Sequence, residues 1–123
     1  MNDNNSDDVL SSKERIELKI SELENGRSQI LGLSANLAIA ISNYDRALAL
    51  SMLKLLNGQI NSFENQEVTK VSATTVKDIA KGLCWRERLK LEEATGEYKA
   101  HISNMETIRA ELNGLQSINK HLQ

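Results

Sequence analysis

From residue 16 onward the apolar positions of the chain recur in alternating steps of four and three: Ile16, Ile20, Leu23, Arg27, Ile30, Ser34, Leu37, Ile41, Tyr44, Leu48, Ser51 and Leu55. Nine of these twelve slots are apolar, and a heptad stripe of that length predicts one long amphipathic helix with coiled-coil periodicity. Ser11 and Glu14 have the spacing of a capping box, and Asn57-Gly58 is a plausible end, so the helix is expected over residues 11–57. The stripe passes through Asn25-Gly26 without gaining or losing a residue, which favours a continuous helix there over a turn.

Residues 58–74 lose this periodicity while gaining polar and β-branched residues, and are expected to be the connection. Thr75 and Asp78 repeat the capping-box spacing. A second helix is expected over 75–121, carrying Val76, Ile79 and Leu83 and then a seam at 91, 94, 98, 101, 105, 108, 112, 115, 119 and 122. Only His101 and Asn119 depart from apolar character in that seam. Residues 1–10 hold three aspartates and little to bury, which predicts a disordered acidic tail. The expected architecture is therefore all-α, with residues 11–123 forming an antiparallel two-helix coiled-coil hairpin. A hairpin that pivots near residue 66 places Arg27 opposite Glu106, and Ser34 opposite Tyr98.

Two helices alone leave much of the wide apolar surface between residues 30 and 56 without cover. The simplest closure is a homodimer forming a four-helix bundle. The expected oligomer interface comprises Leu31, Leu33, Leu37, Ile41, Tyr44, Leu48, Met52, Leu53, Leu55 and Leu56. Another protein is the alternative partner.

Composition supports helix over sheet: there is no proline and only four residues are aromatic. The net charge of −2 argues against a general nucleic-acid or membrane-surface binder. The single cysteine, Cys84, excludes an internal disulfide and a thiolate zinc site. The polar, acidic N-terminus lacks the apolar core of a secretory signal, and Asp45 and Arg46 interrupt the longest apolar run. A cytoplasmic protein without membrane association follows as the expectation.

No motif for phosphate binding, nucleophilic catalysis or metal-dependent hydrolysis is present, so no enzymatic activity, metal or cofactor is expected. His101, alone in a seam, reads as a core residue bonded to a neighbour, and His121 is too far along the helix to share a metal with it. Charge is concentrated at the start of the second helix. There Lys70, Lys77, Lys81, Arg86, Arg88 and Lys90 face only Asp78 and Glu87, a local balance of +4. With Trp85 among them, Lys77, Lys81, Arg86, Arg88 and Lys90 form a candidate ligand or nucleic-acid patch, although solvated helix faces commonly carry such residues. The stretch TTVKDIAKGL, residues 74–83, resembles the first helix of a lactose-repressor-type helix-turn-helix. The following CWRERLKLEE supplies neither the turn nor the groove-reading helix, so nothing is carried over.

These features point to a non-enzymatic helical interaction protein, an adaptor, small chaperone or inhibitor acting through a homo-oligomeric bundle. The alternative is a dimeric nucleic-acid-binding accessory or regulatory protein of the kind a bacterial, phage or plasmid gene encodes.

Overall fold

At the start of the first helix, the hydroxyl of Ser11 accepts the backbone N–H of Glu14 at 3.2 Å, capping the helix where the sequence spacing predicts. In the computed structural model, which describes residues 11–122, α1 then runs unbroken over Ser12–Leu56. It passes through Asn25-Gly26 as helix and stops at Asn57-Gly58. Gly58 adopts φ +81 and the N–H of Ile60 reaches back to the carbonyl of Lys54 at 3.1 Å, closing the helix with the left-handed glycine this kind of cap favours. The acidic tail expected over residues 1–10 lies outside the described residues.

The connection is more ordered than its loss of periodicity suggests. β1 (Ser62–Phe63) and β2 (Gln66–Glu67) pair antiparallel, with Ser62 opposite Glu67 and Phe63 opposite Gln66. The two turn residues, Glu64 and Asn65, both have positive φ, as a tight two-residue hairpin turn requires. The ribbon leads into buried Val68, whose N–H donates to the carbonyl of Asn61 at 2.8 Å.

The single second helix expected over 75–121 is instead two: α2 (Ala73–Leu83) and α3 (Trp85–Leu122), separated at Cys84. The cap of α2 is Ser72, whose hydroxyl accepts the N–H of Thr75 at 3.2 Å, so the helix begins ahead of the Thr75–Asp78 box. Cys84 leaves helical geometry at φ −97, ψ 26, yet its N–H still bonds to Ala80 and its carbonyl to the N–H of Arg88. The interruption is one residue wide. Helix accounts for 84% of the described chain, and the long first and last helices pack together.

The chain divides into two compact units, one drawn from Met1–Gly32 and Tyr98–Gln123, the other from Leu33–Glu97. In the first, Leu23, Met105 and Leu112 form the core, with Ile16 and Ile108 against them. The segments run in opposite directions: Lys19 of α1 meets Glu111 of α3, and Gly26 meets Met105. In the second unit, Leu55, Val68, Val76 and Ala80 are buried beneath Leu48, Met52, Ile60, Phe63, Ile79 and Leu83. Burying one such valine or leucine stabilises the fold by about 1.5–3 kcal/mol.

The seam of α3 follows the expected positions, each of 91, 94, 98, 101, 105, 108, 112, 115 and 119 being buried or half-buried. The seam of α1 follows in part. Ile16, Leu23, Ile30, Leu37, Tyr44, Leu48, Ser51 and Leu55 are buried or half-buried as expected. Lys19, Gly26, Leu33 and Ala40, however, turn inward in place of Ile20, Arg27, Ser34 and Ile41, which are exposed, and Ala47 is half-buried beside Leu48. The substituted positions include Gly26, whose missing side chain leaves room for that of Met105. A Cβ on Gly26 would lie 3.1 Å from Cγ of Met105. Arg27 is accordingly solvent-facing, and among the described residues it forms no ion pair with Glu106.

Candidate interaction site

The residues expected at an oligomer interface separate into two groups. Leu55 is buried within its own unit, with Leu48 and Met52 packed beside it, while Leu33, Leu37 and Tyr44 are half-buried on the inward side of α1. Leu31, Ile41, Leu53 and Leu56 are exposed, Leu31 to 76% and Leu56 to 67%. Ile39 and Leu50, which are outside the expected interface set, join these exposed residues.

The exposed side of α1 is unusual in its lack of charge. Between Arg27 and Lys54 the only ionisable carboxylate or cationic side chains are Asp45 and Arg46, although Ala35, Ala38, Ile39, Ser42, Ala49, Leu50 and Leu53 are all exposed. A solvated helix face ordinarily carries charge on every turn, and this one does not.

Within the second unit this face opens onto a groove of about 620 Å³ between α1 and α3. Its floor is small, formed by Ala40, Ala47 and Ala94, and the exposed side chains of Ile39 and Leu50 stand along its α1 wall. Asn36 and Asn43 complete that wall, while Glu87, Glu93 and Glu97 line the α3 side with Lys90. Arg46 projects at the α1 edge and, among the described residues, has no ion-pair or side-chain hydrogen-bond partner. The groove thus combines a small apolar floor with an acidic rim.

The basic residues are dispersed. Trp85 is 57% exposed, and the guanidinium of Arg86 lies 5.2 Å from its ring centroid, a cation–π arrangement. A second groove of about 560 Å³ holds Trp85 with Lys81 and Arg88, but Asp78 and Glu92 share it and balance their charge. Arg88 is 3.4 Å from Glu92. Lys90 belongs to the α1–α3 groove instead, and Lys77 is exposed outside both.

In the first unit, Lys19 lies between Glu111 at 2.6 Å and Glu22 at 3.3 Å. The hydrogen bond to Glu111, then that to Glu22, raises its ammonium pKa above the ordinary 10.5. His101 Nε2 is 2.7 Å from the carbonyl oxygen of Gly26. A carbonyl only accepts, so the proton sits on Nε2, and the imidazole ties α3 to α1 as a seam residue. Among the described residues no group of three or more His, Cys, Asp and Glu converges as metal ligands, and no helix is long and apolar enough to cross a membrane.

What the fold defines is an all-helical protein whose most distinctive surface is an uncovered, charge-poor helix face. Comparison with known protein families, with curated proteins and with solved structures finds no match.

The heptad reading missed Ala40, Asn43, Ala47, Glu93 and Glu97 because it sought large apolar residues. The available signal was the run from 28 to 53, nearly devoid of charge and rich in alanine.

Proposed function

We propose that this chain is a non-enzymatic helical interaction protein whose activity is association through the middle of α1, in a homodimeric four-helix bundle of antiparallel helical hairpins. The observation that carries the reading is the exposed α1 face with its alanine-floored groove, a surface whose apolar character gains from leaving water. A bundle of this kind acts as an adaptor, a small chaperone or an inhibitor, presenting the remaining faces of its helices to other proteins. The basic residues around Trp85 share their groove with acids, which favours a protein-binding role over phosphate neutralisation.

Sedimentation equilibrium on the full chain tests this reading. The expected mass is twice 13.7 kDa at micromolar concentration, with little dependence on salt. A monomer at all concentrations would overturn the homodimer. Retention on DNA or RNA that falls steeply with added salt would favour the nucleic-acid alternative.

A further inference from the structure

Resting on that homodimer reading, we infer that the α1–α3 groove of the Leu33–Glu97 unit is occupied by α1 of a second copy, antiparallel, with the twofold axis at Asn43. The argument begins with spacing. Asn36, Ala40, Asn43, Ala47 and Leu50 recur in steps of four and three and line one side of α1, flanked by Ile39 and Arg46. Placing Asn43 against its equivalent in an antiparallel copy sets residue 36 opposite 50, 39 opposite 47 and 40 opposite 46. Ile39 then covers the small Ala47, and Leu50 covers Asn36, so large side chains meet small ones on both sides of the axis. The two Asn43 carboxamides meet at the centre. Each carries both a donor and an acceptor, so they satisfy one another and fix the register, as buried asparagines do in coiled coils.

Charge selects the same arrangement. Ser51 Oγ lies 3.2 Å from Cys84 Sγ, which places the Leu50 end of the groove beside Glu87 and the Asn36 end beside Glu97. Arg46 of the second copy, set opposite Ala40, therefore reaches the stretch of α3 that carries Glu93 and Glu97. Twofold symmetry repeats the pairing on the other side. Arg46, which has no ion-pair partner among the described residues, and the acidic wall that has too few cations are thereby matched, which is the complementarity an isologous interface requires.

Two measurements on the full chain test the seating. Arg46→Glu brings like charges together and is expected to weaken dimerisation at least about tenfold in sedimentation, while the triple variant Arg46→Glu, Glu93→Arg, Glu97→Arg restores it. Asn43→Cys in a Cys84→Ser background is expected to form a disulfide between copies under mild oxidation, because residues on a twofold axis approach their own equivalents. An Asn43→Cys chain that dimerises without crosslinking, together with an Arg46→Glu chain that dimerises normally, would overturn this seating while leaving the homodimer standing. A wild-type monomer would overturn both. Should Arg46→Glu lose helicity by circular dichroism, the crosslink alone decides.

Discussion

The ring of Phe63 occupies the space where Gly82 has no side chain: a Cβ built on Gly82 would lie 2.7 Å from the ring's Cζ. A strand of the β ribbon is thereby pressed onto the last turn of α2. Glycine inside a helix costs about 1 kcal/mol relative to alanine, so Gly82 is retained for the contact and not for helix formation. Gly82→Ala is expected to destabilise the wild type by about 1 kcal/mol, because the ring must move, and to stabilise a Phe63→Ala chain by restoring helix propensity. Denaturant melts of the four chains of this cycle measure the reversal. Two additive effects would contradict it.

The first unit places a similar constraint on Gly26, whose missing side chain admits Met105 and whose carbonyl receives the imidazole of His101. Gly26→Leu forces the two helix segments apart and breaks that hydrogen bond. We expect a loss of about 2–4 kcal/mol, and urea unfolding that shows less than 1 kcal/mol would argue against the close approach. Arg27→Leu, one residue along and exposed, serves as the control expected to change stability little.

Burial sets the reactivity of Cys84. It is 2% exposed and its sulfur lies 3.2 Å from the hydroxyl of Ser51, so native protein should react with a thiol reagent only through opening. Modification by a chromogenic disulfide is expected to be slow in buffer and immediate in denaturant. Equal rates in both would place the thiol at the surface. Leu55→Ala, which empties the core around Ala80, one helical turn before Cys84, is expected to cost about 2–4 kcal/mol and, by favouring opening, to accelerate that reaction.

Trp85 gives the contrasting prediction. Because its indole is largely exposed, its fluorescence is expected to resemble that of tryptophan in water and to be readily quenched by acrylamide, and Trp85→Ala to leave the melting temperature nearly unchanged. A blue-shifted, protected emission in the isolated protein would show that something covers it.

Lys19 provides the pH dependence. Its pKa is raised by Glu111 first and Glu22 second, so the folded chain holds the proton more tightly than the unfolded one. The stabilisation is fully present below the ordinary value of 10.5 and is lost as pH rises through the higher folded value. Lys19→Met is therefore expected to lower the melting temperature at neutral pH, with a difference from wild type that shrinks in strongly alkaline buffer. The pair is partly solvated, and added salt should reduce the difference as well.

Local chemistry determined much of this protein. The cap at Ser11, the stop at Asn57-Gly58, the length of α1 and the seam of α3 from 91 to 119 are set by short-range spacing, because caps, helix ends and one-sided burial act over a few residues. Tertiary contact decided that alternate slots of the α1 stripe between residues 19 and 41 are filled one residue earlier than the heptad spacing predicts. Ile20 and Ile41 carry more apolar surface than Lys19 and Ala40, yet the latter are the less exposed, and at Gly26, which lies in register with them, the missing side chain leaves room for Met105. The same kind of contact orders the connection, where Phe63 and Val68 find α2 across the chain. It also creates the groove, whose floor is made of alanines from two helices far apart in sequence. A stripe of large residues announces itself in one segment. A space left by small ones exists only once a second segment stands beside it, and for that reason the surface this chain offers had to be found in the fold.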